Sequence, residues 1–140
     1  MTEKLFHQKV AIITGAGQGI GLQIARDLAK QGAMIVLNDL EAALADEATQ
    51  VITKEKGTCI SAPGDVADAD FVQSLIDIAV NTFGKVDIAV ANAGITLFGD
   101  FFDYQPEVSL ESIESSLMKQ FSKNIALEFI RLQRELSLNF

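Results

Sequence analysis

The feature that most constrains the fold of this chain is an apolar run that leads directly into a cluster of glycines. Val10 to Ile13 are consecutive apolar residues, a pattern typical of a strand buried on both faces. Residues 14–21 follow at once with glycines at every second position, and residues 20–31 then show helical periodicity. Glycines between a strand and a helix let the backbone approach a phosphate closely, and the helix start offers unpaired N–H groups. Residues 14–21, the glycine loop, are therefore predicted to bind the phosphates of a nucleotide.

The individual glycines have different expected roles. Gly15 makes the turn out of the strand, Gly19 permits close approach to a pyrophosphate, and Gly21 lets helix and strand pack tightly. Gly17 is an additional glycine, and the loop has the pattern Thr-Gly-x-x-x-Gly-x-Gly. A glycine-rich turn without a ligand is the alternative, which the flanking strand and helix disfavour.

Short apolar runs and helical patterns continue to alternate along the chain. Predicted strands cover Val10–Ile13, Met34–Leu37, Thr58–Ser61 and residues 86–91, and predicted helices cover residues 20–31, 40–54 and 66–83. Alternation with short loops indicates βαβ units with right-handed crossovers. We therefore expect an α/β fold, a doubly wound parallel sheet, within a single domain of residues 1–140.

The last third of the chain shows a different pattern. An aromatic stretch at residues 98–106 is followed by apolar residues at three- and four-residue steps from Leu110 to Phe140. No Gly or Pro interrupts these steps, so residues 108–140 are predicted to be an amphipathic helical tail, either one long helix or two shorter ones.

An acidic residue follows the second predicted strand. Asp39 lies 18 positions after Gly21, where a carboxylate hydrogen-bonds the ribose hydroxyls of NAD and repels the 2′-phosphate of NADP. Residues 40–43, beginning with Leu40, contain no Arg or Lys, and Gln18 stands where a basic residue could have met that phosphate. NAD is therefore favoured over NADP as the cofactor. The alternative is that Asp39 only caps the following helix.

Two further strand ends carry candidate cofactor contacts. Asp65 and Val66 suit an adenine pocket, with a carboxylate for the amino group and an apolar face for the ring, although Asp65 or Asp68 could equally cap the next helix. Asn92, Ala93 and Gly94 follow the fourth strand, where the ligand crevice of a parallel sheet opens. An ordinary turn at Asn92 is the alternative.

The composition excludes several classes of protein. A formal net charge of −8 disfavours nucleic acid and anionic membranes as partners. The sequence has no metal-binding Cys/His tract, and no apolar run approaches the length of a membrane span. The first seven residues lack the basic start and long apolar core that a signal peptide is expected to have. We expect a cytoplasmic protein without a bound metal, in which the lone Cys59 is a buried apolar residue.

Taken together, these motifs resemble the cofactor half of the short-chain dehydrogenase/reductase family. The resemblance covers about residues 5–107, and its mildest departure is Ala91 in place of the first Asn of Asn-Asn-Ala-Gly. It implies a Rossmann-like fold with strand order 3-2-1-4, and NAD(P)-linked oxidation of alcohols or reduction of carbonyls. It also implies a small alcohol or carbonyl substrate and a homo-oligomer. The cofactor-binding residues that it implies are Gly15, Gly17, Gln18, Gly19, Ile20, Gly21, Asp39, Leu40, Asp65, Val66, Asn92, Ala93 and Gly94.

The resemblance does not extend to the catalytic residues of the family. These are a Ser, a Tyr and a Lys four residues after the Tyr, whereas the only tyrosine here is Tyr104 and Val108 stands four residues later. No catalytic residue is assigned, and the chain alone is not expected to be catalytically competent. The alternatives are a non-catalytic module that binds a nucleotide or a partner, and a truncated product.

Overall fold

The computed structural model describes residues 3–93, which form a four-stranded parallel sheet with helices on both faces. The strand order is β3-β2-β1-β4, which confirms the predicted order 3-2-1-4. The predictions made for Gly94, for the helical tail at residues 108–140 and for Tyr104 lie outside the described residues. Within residues 3–93, no helix combines the length and the apolar character that crossing a bilayer requires.

The strands and helices alternate as the sequence predicts. Their bounds are β1 Val10–Ile13, α1 Gly19–Lys30, β2 Met34–Leu37, α2 Ala42–Lys54, β3 Thr58–Ser61, α3 Ala69–Phe83 and β4 Ile88–Val90. The first three strands have the predicted bounds. The first two helices begin within two residues of their predicted starts, whereas α3 and β4 differ more.

Helix α3 begins three residues after the predicted start at Val66. Asp68 is its N-cap, since the Asp68 carboxylate accepts a hydrogen bond from the Asp70 N–H at 2.9 Å. The Asp65 carboxylate accepts from the amide two positions later, also at 2.9 Å, and so holds residues 65–68 in a turn. Asp65 therefore does not cap α3, and its side chain remains at the end of β3.

Strand β4 is shorter than the predicted range of residues 86–91 because side-chain and turn hydrogen bonds replace the ladder at both ends. The Asp87 carboxylate accepts from the Val10 N–H at 2.8 Å, where a strand carbonyl would otherwise bind. At the other end the Asn92 N–H donates to the Val90 carbonyl at 3.1 Å, which turns the chain out of the sheet.

The core lies on both faces of the sheet. All of Val10–Ile13 is fully buried, and alternate residues point to opposite faces. Ile12 packs in the cluster that contains Leu75 of α3, and Ile13 packs in the cluster that contains Ile52 of α2. Burial on both faces explains why this strand is a continuous apolar run and not an alternation.

The parallel arrangement brings all four strand ends to one edge of the sheet. β1 pairs with β2 on one side and with β4 on the other, so the chain winds in opposite directions from the centre. In open parallel sheets the ligand crevice lies at the carboxyl ends of the strands, at this change of direction. The candidate residues are therefore expected to meet beside the end of β1.

Candidate functional site

A crevice of about 310 Å³ opens at the carboxyl ends of the strands. The loops after all four strands contribute to its walls. Its lining residues are Gly15, Gln18, Asn38, Asp39, Leu40, Glu41, Leu44, Gly64, Asp65, Val66, Asn92 and Ala93. The structure therefore brings together candidate residues that lie as far apart in the sequence as Gly15 and Ala93.

Four of the predicted residues lie in the glycine loop but do not line the crevice. Gly17 lies behind the wall, against the Asp39 carboxylate. Gly19, Ile20 and Gly21 form the start of α1, where Gly21 is buried and Ile20 is 75% exposed.

The backbone of the glycine loop requires glycine at two positions for different reasons. Gly15 has φ +60°, and a Cβ atom added there would lie 2.8 Å from the Cα of Ala93. Gly19 has φ +62°, but an added Cβ would have nothing within 4 Å. Crowding therefore constrains Gly15, whereas Gly19 borders open space that a ligand can occupy.

Gly21 is constrained by close packing between the helix and the loop. An added Cβ would lie 2.5 Å from Asn92 Nδ2 and 2.6 Å from the carbonyl oxygen of Gly15. Either distance is shorter than a van der Waals contact, so α1 reaches its position only with glycine there. This agrees with the packing role that the sequence predicts for Gly21.

The start of α1 presents backbone donors to the open space beside Gly19. Gln18 precedes the helix in an extended conformation and makes no side-chain capping bond, and the first turn contains no acidic residue. The Leu22 N–H donates to the Gln18 carbonyl at 3.4 Å, and the amides of Gly19, Ile20 and Gly21, which come before Leu22, have no acceptor within the helix. These amides and the helix dipole favour an anion at this point.

The Asp39 carboxylate joins the end of β2 to the glycine loop. Its Oδ2 accepts from the Gly17 N–H at 2.9 Å, and its Oδ1 accepts from the Glu41 N–H at 3.1 Å. Helix α2 begins at Ala42 with Glu41 as its N-cap residue, so Asp39 lies outside the helix that it was considered to cap. Each carboxylate oxygen has a second lone pair, which leaves acceptor capacity towards the crevice.

This contact also explains Gly17, to which sequence reasoning gave no distinct role. A Cβ at Gly17 would lie 2.7 Å from Asp39 Oδ2, so a side chain there would displace the carboxylate. The sequence signal that could have revealed this role is an additional glycine, Gly17, together with an acidic residue at the end of the next strand.

Thr14 joins the glycine loop to the end of β4. Its side chain is fully buried, and its Oγ1 accepts from the N–H groups of Asn92 and Ala93, each at 3.1 Å. Asn92 Nδ2 in turn donates to the Gly15 carbonyl at 3.1 Å. Thr14 belongs to the predicted motif but was not among the candidate residues, although its position directly before Gly15 was the available signal.

The part of the crevice at the ends of β2 and β3 combines carboxylates with one buried apolar residue. Val66 is 5% exposed and lines the wall next to Asp65. Asp39, Glu41 and Asp65 supply carboxylates, and the lining residues include no Lys, Arg or His. The crevice is therefore electronegative at the ends of β2 and β3, whereas the backbone donors lie at the start of α1.

The only cysteine, Cys59, lies on β3 away from the crevice lining and is partly buried, whereas the sequence predicts a buried residue. Burial raises the pKa of its thiol to about 11, although a hydrogen bond with Thr49 opposes that shift. The thiol is therefore protonated near neutral pH, which agrees with a packing role.

The fold and the crevice define a Rossmann-like α/β protein with a ligand site at the switch point of its sheet. The chain belongs to the short chain dehydrogenase family, since the family's sequence model matches residues 9–125. The predicted family resemblance is therefore confirmed. Members of this family are oxidoreductases that bind NAD(P).

The chain is similar to individual relatives over only part of their length. It is 38% identical over 117 residues to L-rhamnose 1-dehydrogenase (NAD(P)(+)) from Azotobacter vinelandii, covering 81% of this chain and 46% of that protein. It is 44% identical over 100 residues to a versicolorin reductase from Emericella nidulans, covering 71% and 38%. The crystal structure of hydroxysteroid dehydrogenase from Escherichia coli superposes with a TM-score of 0.75 at 31% identity, covering 88% and 53%. The chain thus spans about half, or less, of the length of these relatives.

Proposed function

We propose that this chain is the NAD-binding half of an oxidoreductase that interconverts a small alcohol and its carbonyl compound. The observation that carries the proposal is the convergence of Asp39 and the glycine loop at one crevice, joined by the 2.9 Å bond from the Gly17 N–H. NAD, when bound, would accept or donate the hydride. The residues described here would bind and orient it.

The donors and acceptors fit the parts of a dinucleotide. The amides of Gly19 and Ile20 would hold the pyrophosphate, because they have no intrahelical acceptor. Asp39 would accept from the ribose hydroxyls. Asp65 would accept from the adenine amino group, with the apolar side chains of Val66 and Leu40 beside the ring.

The remaining contacts would lie on the side of the crevice formed by β4. Asn92 and Ala93 line this wall next to Gly15, and we assign the nicotinamide half of the cofactor to it. Gly94 is assigned to the same group from its sequence position alone. The hydrogen bonds of Thr14 hold this wall in place.

The charge of the crevice favours NAD over NADP. The name of the Azotobacter vinelandii relative covers both cofactors, so family membership alone leaves the choice open. A 2′-phosphate would carry its negative charge towards Asp39 and Glu41, with no cation among the lining residues to offset it.

The proposal also covers the catalytic competence, the assembly and the location of the protein. Catalytic residues are not assigned, so the 140-residue chain alone is expected to bind NAD without turning over substrate. We expect a homo-oligomer, as the family resemblance implies, and a location in the cytoplasm, as the sequence predicts. A purely non-catalytic module is not proposed, because no observation favours it.

Isothermal titration of the 140-residue chain with NAD and with NADP tests the cofactor assignment. The wild type is expected to bind NAD more tightly, and Asp39→Ala is expected to narrow the ratio between the two affinities. Asp77→Ala is the matched control, because it removes the same charge from an exposed position on α3. Tighter binding of NADP by the wild type, or an unchanged ratio in Asp39→Ala, would contradict the role given to Asp39.

A further inference from the structure

Asn38 is a buried polar residue at the end of β2, directly before Asp39. Its side chain is only 1% exposed, yet it lines the inner end of the crevice. Sequence reasoning did not single it out, since one polar residue after an apolar run has no distinctive spacing. Its hydrogen bonds give it a specific role.

The main chain of Asn38 binds to the first strand and its loop. The Asn38 N–H donates to the Ile13 carbonyl at 2.9 Å, and the Asn38 carbonyl accepts from the Ala16 N–H at 2.8 Å. The backbone of Asn38 is therefore fixed on the side of the glycine loop, which leaves its side chain to face the other way.

The side chain of Asn38 binds to the loop after β3. Its Nδ2 group donates to the carbonyls of Ala62 at 2.9 Å and of Gly64 at 3.1 Å. The Gly64 N–H donates to the Asp39 carbonyl at 3.0 Å, which adds a second connection between the same two loops. Residues 62–64 are thus held against the end of β2 immediately before Asp65 and Val66.

We propose that Asn38 is a positioning residue for adenine recognition, which holds the loop that carries Asp65 and Val66 at its distance from Asp39. The proposal rests on the proposed binding of NAD. Two carbonyl oxygens converge on one buried point, and an NH₂ group is the side-chain donor that satisfies both. A carboxylate of the same shape would place oxygen against oxygen, and an apolar side chain would leave both carbonyls unpaired.

The test compares NAD with nicotinamide hypoxanthine dinucleotide, which lacks the amino group of adenine. Wild-type chain is expected to prefer NAD, because the Asp65 carboxylate accepts from that amino group. In Asn38→Asp the loop loses its donor, so NAD affinity is expected to fall by about tenfold, the effect of one charge-assisted hydrogen bond. Affinity for the hypoxanthine dinucleotide is expected to fall less, so that the ratio of the two affinities approaches one.

Ile52→Val is the control for a general loss of stability. Ile52 is fully buried at the far end of α2 and does not line the crevice. This variant is expected to weaken folding while keeping the wild-type ratio of the two affinities. An Asn38→Asp ratio equal to that of the wild type overturns the inference while leaving NAD binding intact. Equal affinities in the wild type overturn it as well. A wild-type chain that binds neither dinucleotide removes the proposed function, and this inference with it.

A measurement on the wild type covers the case in which Asn38→Asp does not fold. The side-chain amide protons of Asn38 are expected to exchange slowly with water and to shift when AMP is added, as observed by NMR of the ¹⁵N-labelled chain. Nicotinamide mononucleotide, which lacks adenine, is expected to leave the chemical shifts of these protons unchanged. Exchange as fast as that of an exposed asparagine would overturn the proposal.

Discussion

Gly19 and Gly84 form a matched pair that isolates the role of the glycine loop. Gly19 has φ +62° at the start of α1, and Gly84 has φ +89° at the C-cap of α3. A Cβ added to either residue would have nothing within 4 Å. The two substitutions Gly19→Ala and Gly84→Ala therefore impose the same kind of backbone strain without a clash, at opposite edges of the sheet.

Both variants are expected to lose similar stability. Placing an L-residue in the left-handed region costs about 1–2 kcal/mol. In a chain of 140 residues such a loss lowers Tm by about 4 °C per kcal/mol, where the ranges for smaller and larger domains meet. Urea or thermal unfolding monitored by circular dichroism measures this common effect.

Only Gly19→Ala is expected to weaken NAD binding. Its methyl group would enter the space beside the unpaired amides of α1, where the pyrophosphate is proposed to bind. Loss of one hydrogen bond to a charged group corresponds to about 1.5–3 kcal/mol, or roughly 10- to 150-fold in Kd. Isothermal titration with NAD measures the change, and Gly84→Ala should keep the wild-type Kd.

The comparison can refute the reasoning in two ways. Equal NAD affinity in both variants and the wild type would show that the space beside Gly19 does not hold the cofactor. An equal loss of affinity in both variants would show that the effect arises from general destabilisation. Correct folding is checked by the far-ultraviolet spectrum before each titration.

Three further predictions concern single side chains. Thr14→Val removes the acceptor for the Asn92 and Ala93 amides and should lower the unfolding free energy, measured in urea, by about 1–3 kcal/mol. Thr14→Ser keeps the hydroxyl and should retain most of the wild-type stability. Equal losses in the two variants would contradict the hydrogen-bonding role of Thr14. The Cys59 thiol should react with iodoacetamide at a rate that rises until pH approaches about 11, since burial raises its pKa. Because the pKa of the Cys59 thiol is higher in the folded state, the stability that the thiol contributes is present below the unfolded value of 9.0 and is lost as pH rises towards about 11. A reaction rate that levels off near pH 9 would contradict the burial of the thiol. Asp68→Ala removes the N-cap bond of α3 and should cost about 1 kcal/mol in unfolding free energy, whereas no loss would show that the cap contributes nothing.

The sequence predicts most of the fold because the strands are continuous apolar runs. Val10–Ile13, Met34–Leu37 and Thr58–Ser61 match their predicted bounds. The order of the strands is the one that the family resemblance implies. The predicted start of α3 was wrong because Asp65 and Asp68 are both suitable N-cap residues. Their local hydrogen bonds, which sequence spacing does not show, decide between them.

The candidate site was predictable where a motif has characteristic spacing. Gly15, Asp39 and Asn92 line one crevice, as their positions at strand ends suggested. The role of Gly17 was missed because its constraint is a contact with a residue 22 positions away. Asn38 was missed for a similar reason, since its two acceptors lie in a loop that follows the next strand.

The contact between Asp39 and Gly17 has a consequence for the order in which this protein can change its cofactor. As long as Asp39 is present, a side chain at position 17 would collide with its carboxylate, so that position cannot accept a basic residue. Replacement of Asp39 by a small neutral residue would remove the charge and one obstacle, whereas the Leu44 Cβ, also 2.7 Å from a Cβ added at Gly17, would remain. A lineage, or an engineer, seeking NADP use must therefore change Asp39 and also make room beside Leu44 before position 17 can accept a basic residue.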